Sequence, residues 1–403
     1  MSRERGADGE RDALAARIGF VHQGDGRAVS SWSGTPYFMA RALERHLGPV
    51  VHLKPLPDSA VRLARGLAHV QRRLTGRISL AHCNPLVAAA SRREAARKLR
   101  SARADIAFAP AASSFASGIP RQIPLVYSSD ATFRGVVDAY PEFSNLSRAS
   151  RRLGERLERA AIARADLLVY PSEWAAESAV RDYGAERSRI LVAPYGANLD
   201  ALPQAAPSEP RCGGALRLLF VGKEWERKGG DTALEALAAL RRMGREATLT
   251  VVGCIPPGAG AVAGLEVAGF LDKADAGQRR RLDALFADAD FLLMPVRAEC
   301  YGIVFCEAAA HGLPQIATAT GGVPSIVEDG VTGRLLPPGS SGEAFAEAIV
   351  EAAADREAHA AMRAASRRRS EQVLNWDRWG ADVARAARRL LPPARARAAG
   401  QGR

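Results

Sequence analysis

Two glutamates that flank a glycine are the residues of this sequence best placed to do chemistry together. Glu299 and Glu307 lie eight positions apart in the stretch VRAECYGIVFCEAAAHG, which runs from Val296 to Gly312. The apolar run before it predicts a buried strand, Gly302 predicts a turn, and the residues that follow predict a helix closed by Gly312. Because this helix begins where the strand ends, its free backbone N–H groups and its dipole favour the binding of an anion.

The spacing of the two carboxylates indicates what kind of anion fits. The N–H groups belong to Gly302, Ile303 and Val304. Eight residues at the helical rise cover about 12 Å, roughly the length of a nucleotide sugar from ribose to sugar ring. We therefore expect Glu307 on the ribose hydroxyls, the diphosphate on the N–H groups, and Glu299 on the sugar. The alternative is structural, with Glu299 a loop charge and Glu307 a partner of the helix dipole.

A second stretch, FVGKEWERKGGDTALEALAAL at 220–240, supplies the positive charge that a diphosphate needs. It predicts a strand, a turn that carries Lys223, Arg227 and Lys228, and a glycine pair that opens an Ala/Leu helix. Cations beside a Gly-rich turn at the end of a strand neutralise charge on a departing nucleotide. The alternative is a solvated turn with charges at a helix entry. A later pair, Gly321-Gly322, allows close approach of a backbone to a ligand.

Several stretches together resemble one protein family: GKEWERKGG, ECYGIVFCE, HGLPQIATATGGVPSIVEDGVTG, and SEWAAESAVRDYG with APYGAN. The sequence is similar to the retaining glycosyltransferases of family 4, which have the GT-B fold. The resemblance extends from Ile18 to about Trp379 and is strongest in the second half. It implies a sugar-nucleotide donor bound mainly by the second domain, an acceptor bound mainly by the first, and transfer with retained anomeric configuration.

The resemblance also implies roles for residues of the second domain. Glu299 would contact the donor sugar and Glu307 the ribose, as the spacing predicts independently. Arg227 and Lys228 would hold the diphosphate, and Lys223 is counted with them as a donor-binding residue.

In the first domain, the resemblance directs Ser33, Gly34 and Thr35 to the donor's phosphates. Family members commonly carry a histidine near the strand end PLVYSSDATF (124–133), where this sequence has Asp130. We expect Asp130 to accept hydrogen bonds from sugar hydroxyls and count it, with Glu299, as a catalytic candidate; the alternative is a turn-forming residue. The first loop lacks a full GxGxxG, and no acidic residue ends the next strand, so a nicotinamide site is not expected.

Short apolar runs that alternate with longer helical patterns predict two α/β domains of GT-B architecture, each a Rossmann-like, doubly wound sheet, facing a cleft. Strands are predicted at 18–22, 50–53, 105–110, 123–129, 166–171, 189–194, 216–222, 247–253, 265–271, 290–296, 314–318 and 333–337. The predicted divisions are a polar extension (1–17), an acceptor domain (18–200), a linker (201–215), a donor domain (216–375), a C-terminal helix (376–391) and a disordered tail (392–403).

Composition narrows the classes further. An apolar content of 47% and a charged content of 25% are typical of a folded protein. The net charge of +12 fits solvated helix faces, anionic lipid or phosphorylated small molecules, and no nucleic-acid motif accompanies it. Five scattered cysteines indicate reduced thiols and no zinc site: Cys83, Cys212, Cys254, Cys300 and Cys306.

No signal peptide and no long apolar run is found in the sequence, which predicts a cytoplasmic protein, with peripheral contact at the inner, anionic membrane face as a further hypothesis. Asp288-Ala289-Asp290 is interpreted as a turn and not as a metal site, so no metal or other cofactor is expected. The sequence thus predicts a metal-independent retaining glycosyltransferase with a UDP- or GDP-sugar donor and a glycan, lipid-linked or small-molecule acceptor. The alternatives are a sugar-nucleotide epimerase of the same fold and a non-catalytic sugar-nucleotide-binding protein.

Overall fold

A computed structural model describes residues 15–29, 31–203, 215–258, 260 and 262–392. The chain divides into two compact units. The first ends at Ala193 and resumes at Trp376, and the second runs from Pro194 to Asn375. Each unit contains one six-stranded sheet whose strand pairs are parallel. The predicted α/β class with two doubly wound sheets is therefore confirmed.

The twelve strands all fall within stretches that the sequence predicts as strands. In the first unit the spatial order is β2-β1-β3-β4-β5-β6, and in the second it is β12-β11-β10-β7-β8-β9. The strands are β1 Ile18–Val21, β2 Val50–Leu53, β3 Ile106–Pro110, β4 Leu125–Ser128, β5 Leu167–Tyr170, β6 Ile190–Val192, β7 Leu216–Val221, β8 Ala247–Val252, β9 Leu265–Gly269, β10 Phe291–Met294, β11 Gln315–Thr318 and β12 Gly333–Leu336.

Helices connect the strands and cover the sheets. Because both faces of a parallel sheet are covered, its central strands are continuous apolar runs, and every residue of β1, β3 and β10 is buried. The helices are α1 Thr35–His46, α2 Asp58–Thr75, α3 Pro85–Ser101, α4 Ser113–Ala116, α5 Phe133–Val136, α6 Arg148–Arg164, α7 Glu173–Tyr183, α8 Gly230–Arg242, α9 Ala276–Asp288, α10 Ile303–Ala310, α11 Gly342–Ala353, α12 Arg356–Gln372 and α13 Trp376–Arg388.

The C-terminal helix α13 belongs to the first unit, although the whole of the second unit precedes it in sequence. It packs against α1, where His46 Nε2 lies 2.8 Å from Asp377 Oδ1. Trp376 stacks on Phe38 with ring centroids 6.1 Å apart, and Trp379 is buried. The amphipathic pattern of α13 thus completes the core of the first unit.

Parts of three predicted segments lie outside the described residues: 1–14 of the extension, 204–214 of the linker with Cys212, and 393–403 of the tail. None of the four described cysteines forms a disulfide bond. Among the described helices, none has the length and apolarity that crossing a membrane requires.

Candidate active site

The turn between β10 and α10 has the geometry that a glycine at its centre requires. Gly302 precedes the first residue of α10 and has φ 98°, in the left-handed region that glycine favours. A Cβ atom at this position would also lie 2.5 Å from Cδ2 of Phe305. The N–H groups of Ile303 and Val304 are in the first turn of α10, where no carbonyl of the preceding helical turn accepts from them. Gly302, Ile303 and Val304 thus form the helix terminus that the sequence predicts.

Three of the predicted site residues come together beside this turn. The Lys228 ammonium donates a hydrogen bond to Oε2 of Glu299, and Nη1 of Arg227 lies 3.7 Å from the same oxygen. Glu299 and Lys228 are each only 9% exposed. Arg227 also donates to the Glu224 carboxylate at 2.6 Å and to the carbonyl of Ala298 at 2.9 Å. Two carboxylates therefore accompany the two cations at this place.

Glycines allow the loops around this cluster to pack closely. Gly229, which precedes α8, has φ 75°, and a Cβ there would lie 1.9 Å from the carbonyl oxygen of Pro295. A Cβ on Gly321 would lie 1.6 Å from the carbonyl oxygen of Glu299, and one on Gly322 would lie 2.4 Å from that of Cys300. The Gly321-Gly322 pair thus approaches the protein's own backbone and fixes the loop that carries Glu299.

The second candidate carboxylate, Glu307, has a partner that the sequence analysis did not identify. Glu307 is 2% exposed on α10, and its Oε1 accepts a hydrogen bond from Nζ of Lys273 at 2.5 Å. Lys273 follows the edge strand β9 and is 34 positions away in sequence. A lysine just beyond the carboxyl end of a predicted strand was the available signal, but nothing in its spacing indicated Glu307.

Lys223 occupies a different environment from the other two cations. Its ammonium lies over the ring of Phe270, 4.7 Å from the centroid, in a cation–π contact. Phe270 follows β9 and is 58% exposed, and Lys223 is exposed as well. The structure therefore places Lys223 at the carboxyl ends of β7 and β9, on an aromatic ring and not in the Glu299 cluster.

The candidates of the first unit lie beyond the carboxyl ends of its own strands. Ser33 and Gly34 have φ 55° and 88°, and Thr35, which is buried, begins α1. Asp130 follows β4 and is half-buried, and the hydroxyl of Ser129 beside it donates to the carbonyl of Ala131 at 2.7 Å. Parallel strands end at one edge of a sheet, so both loops are at the edge where ligands of such sheets bind.

The thiol of α10 is structural. Burial raises the pKa of Cys306 to about 12, so this thiol stays protonated and is a poor nucleophile. It donates to the carbonyl of Tyr195 at 3.5 Å, and the hydroxyl of Tyr301 donates to the same oxygen at 3.1 Å. These contacts hold the buried face of α10 in place.

The carboxylates of the Asp288-Ala289-Asp290 stretch bind an arginine. Arg217 donates from its backbone N–H to Oδ2 of Asp290 at 2.8 Å, and its Nη1 lies 3.3 Å from Oδ1 of Asp288. In the described part of the chain, no group of three or more His, Cys, Asp or Glu residues is arranged to hold a metal ion.

Solved structures with the same architecture identify the fold. A glycosyltransferase from Rickettsia africae superimposes with a TM-score of 0.67 at 15% identity, over 93% of this chain and 98% of that one. Anabaena Alr3699/HepE, solved in complex with UDP and glucose, superimposes with a TM-score of 0.60 at 19% identity, over 92% of this chain and 99% of that one. The two six-stranded parallel sheets are those of the GT-B fold.

Sequence comparisons define the family. Residues 37–201 match the family model described as Glycosyltransferase Family 4, and residues 215–355 match the one described as Glycosyl transferases group 1. The chain belongs to this family of glycosyltransferases. A D-inositol 3-phosphate glycosyltransferase of Xylanimonas cellulosilytica is 33% identical over 238 residues, which are 55% of this chain and 56% of the relative. The chain thus spans little more than half the length of that curated relative.

Proposed function

We propose that the protein is a retaining glycosyltransferase that transfers a sugar from a UDP- or GDP-linked donor. The observation that carries this proposal is the buried cluster of Glu299, Arg227 and Lys228 beside the free N–H groups at the start of α10. Such a cluster combines donors for a diphosphate with a carboxylate for the sugar attached to it. The complex of Alr3699/HepE with UDP and glucose supports a uridine nucleotide as the first donor to test.

In the proposed donor complex, each half of the nucleotide sugar has its own partner. Glu307 accepts hydrogen bonds from the ribose hydroxyls. Its ion pair with Lys273 remains in place and compensates the charge of the buried carboxylate. The diphosphate binds to the N–H groups of Gly302, Ile303 and Val304 and to the cations of Arg227 and Lys228.

The proposed chemistry depends on stabilising the leaving nucleotide. Negative charge grows on the diphosphate as its bond to the anomeric carbon breaks, and Arg227, Lys228 and the positive end of the α10 dipole stabilise that charge. Glu299 contacts the sugar on which positive charge develops. Because these groups supply the electrostatic stabilisation, we propose that transfer requires no divalent metal, and that it proceeds with retention of configuration, as family membership supports. Loss of activity in EDTA that magnesium or manganese restores would contradict the metal-free reaction.

The acceptor side of the proposal rests on the first unit. Asp130 and the loop of Ser33, Gly34 and Thr35 lie at the carboxyl edge of its sheet, the edge at which such sheets bind ligands. We propose that Asp130 accepts hydrogen bonds from sugar hydroxyls and that the loop contacts phosphates. We propose a glycan, lipid-linked or small-molecule acceptor; the name of the curated relative makes a phosphorylated polyol a reasonable first test. The net charge of +12 supports peripheral contact with an anionic membrane.

A product analysis with radiolabelled donors tests the function as a whole. The protein is incubated with UDP- and GDP-sugars, with and without candidate acceptors, and the products are separated by chromatography. A labelled glycoside that requires the acceptor and has the donor's anomeric configuration supports the proposal. Conversion of the donor sugar without an acceptor would instead indicate an epimerase, and donor binding without any conversion would indicate a binding protein.

A further inference from the structure

Helix α2 displays apolar side chains to solvent on most of its length. It has 18 residues, of which only Ala64 is buried. Four large apolar residues on it are strongly exposed: Leu63 by 67%, Leu67 by 59%, Val70 by 54% and Leu74 by 81%. Helices of globular proteins normally bury a stripe of this kind against the core. An exposed apolar stripe of this size marks a binding surface.

The four side chains form one continuous stripe. Successive residues of an α-helix are about 100° apart, which places the four within a sector of about 60°. From Leu63 to Leu74 the stripe is about 16 Å long at the helical rise. The buried Ala64 and the half-buried Val61 and Ala68 lie about 90–150° from the centre of the stripe, so the stripe is not on the side of α2 that packs.

Basic residues occupy another side of the same helix. Arg62, Arg65, Arg72 and Arg73 are exposed. Arg62 and Arg73 border the stripe, about 90–110° from its centre, whereas Arg65 and Arg72 lie on the opposite face, about 170° away. The one acidic residue of α2, Asp58, pairs with Lys54 at 2.5 Å. The helix therefore has an apolar stripe bordered by cationic side chains, a pattern typical of helices that lie in a membrane interface.

We propose that α2 is the surface by which this protein lies on an anionic membrane. The stripe Leu63, Leu67, Val70 and Leu74 enters the boundary between headgroups and acyl chains, and the bordering arginines contact anionic headgroups. This inference assigns the membrane contact proposed above to one helix. Charge favours this occupant over a second copy of the chain, because two copies meeting through α2 would bring rows of arginine together.

Flotation of the full-length protein with lipid vesicles tests the assignment. Vesicles of phosphatidylcholine are compared with vesicles that contain ~30% phosphatidylglycerol, whose surface potential attracts basic segments. The stripe variant is Leu67→Gln with Leu74→Gln, and the arginine variant changes the two bordering arginines, Arg62→Gln with Arg73→Gln. Matched controls change exposed residues of the second unit: Val331→Gln with Ile255→Gln for the stripe, and Arg242→Gln with Arg245→Gln for the charge.

The wild type is expected to float with anionic vesicles and to be released by ~0.5 M salt, which shortens the screening length. The stripe variant should lose at least tenfold in partitioning. The arginine variant should also lose tenfold or more at low salt, since each basic residue near the surface contributes about fivefold. Both control variants should float like the wild type. Because all substituted residues are exposed, thermal unfolding should show unchanged stability.

Three results would overturn the assignment: no flotation of the wild type, flotation of the stripe variant equal to the wild type, or a wild-type dimer that the stripe variant disperses without any vesicle binding. Calorimetric titration with UDP and GDP on the same samples keeps the two proposals apart. Vesicle binding without nucleotide binding would leave α2 as the membrane surface and refute the proposed donor site. Nucleotide binding without vesicle binding would leave the donor site and refute the membrane surface.

Discussion

The same isosteric substitution at the two candidate carboxylates should change nucleotide affinity in opposite directions. Glu299 already holds Lys228 and lies 3.7 Å from Arg227, so it competes with a bound diphosphate for both cations. Glu307 would bind the ribose directly, and Lys273 compensates the charge of its buried carboxylate. Glu299→Gln should therefore strengthen the binding of free UDP or GDP, and Glu307→Gln should weaken it.

The expected size follows from the loss of one charge. Two unit charges 3.7 Å apart attract by about 4.5 kcal/mol at an effective dielectric of ~20, but desolvation offsets most of this in a buried cluster. A hydrogen bond to a charged group contributes about 1.5–3 kcal/mol and a neutral one about 0.5–1.5 kcal/mol. The difference of about 1 kcal/mol corresponds to about fivefold tighter nucleotide binding for Glu299→Gln and about fivefold weaker binding for Glu307→Gln.

Isothermal titration with the free nucleotide measures the dissociation constants of both variants, and single-turnover transfer measures the rate of the chemical step. Glu299→Gln should transfer sugar far more slowly despite its tighter nucleotide binding, since its carboxylate acts on developing positive charge. A decrease of affinity in both variants, or an unchanged transfer rate in Glu299→Gln, would refute this division of roles.

Three further predictions concern residues around these carboxylates and in the first unit. Lys273→Met should raise KM for the donor severalfold with little change in kcat, and Lys273→Arg should have a KM close to that of the wild type. Steady-state kinetics measure both constants. Gly321→Ala should destabilise the protein by about 3 kcal/mol in urea unfolding, because the new Cβ would overlap the Glu299 carbonyl. Gly339 is also left-handed but lies in open space, so Gly339→Ala should cost only about 1–2 kcal/mol. Equal losses of stability in the two variants would contradict the packing argument. Burial raises the pKa of Glu158 from 4.5 to about 7. The folded state therefore holds this proton more tightly than the unfolded state, and stability from this group is lost as the pH rises between those values. Denaturation at both pH values should show that Glu158→Gln stabilises the protein by up to about 3 kcal/mol at pH 8 and by nothing at pH 4.5.

The strands and the turn at Gly302 could be predicted because their signals are local. A buried parallel strand such as β10 is a continuous apolar run, and a glycine between strand and helix marks the turn wherever it occurs. Arg227, Lys228 and Glu299 could be nominated together because each follows a strand, and neighbouring parallel strands bring their carboxyl ends to one edge.

Pairings between distant loops could not be predicted in the same way. The contact of Lys273 with Glu307 depends on the path of the loop after β9, which no periodicity records. The Gly321-Gly322 pair signalled a close approach, but the sequence did not say whether a ligand or the chain itself approaches. The exposure of the apolar stripe on α2 could not be predicted either, because the sequence pattern of an amphipathic helix is the same whether its apolar face is buried or exposed.

The return of α13 to the first unit determines the order in which the chain can fold during synthesis. Arg45 and Asp377, which form an ion pair between α1 and α13, are 332 positions apart. While the ribosome is still translating the intervening residues, the apolar surface around Phe38 has no Trp376 to cover it. The second unit is continuous in sequence and can close its core as soon as Asn375 has emerged. The unit that is made first is therefore completed last, and its unfinished surface needs protection from aggregation until α13 has emerged.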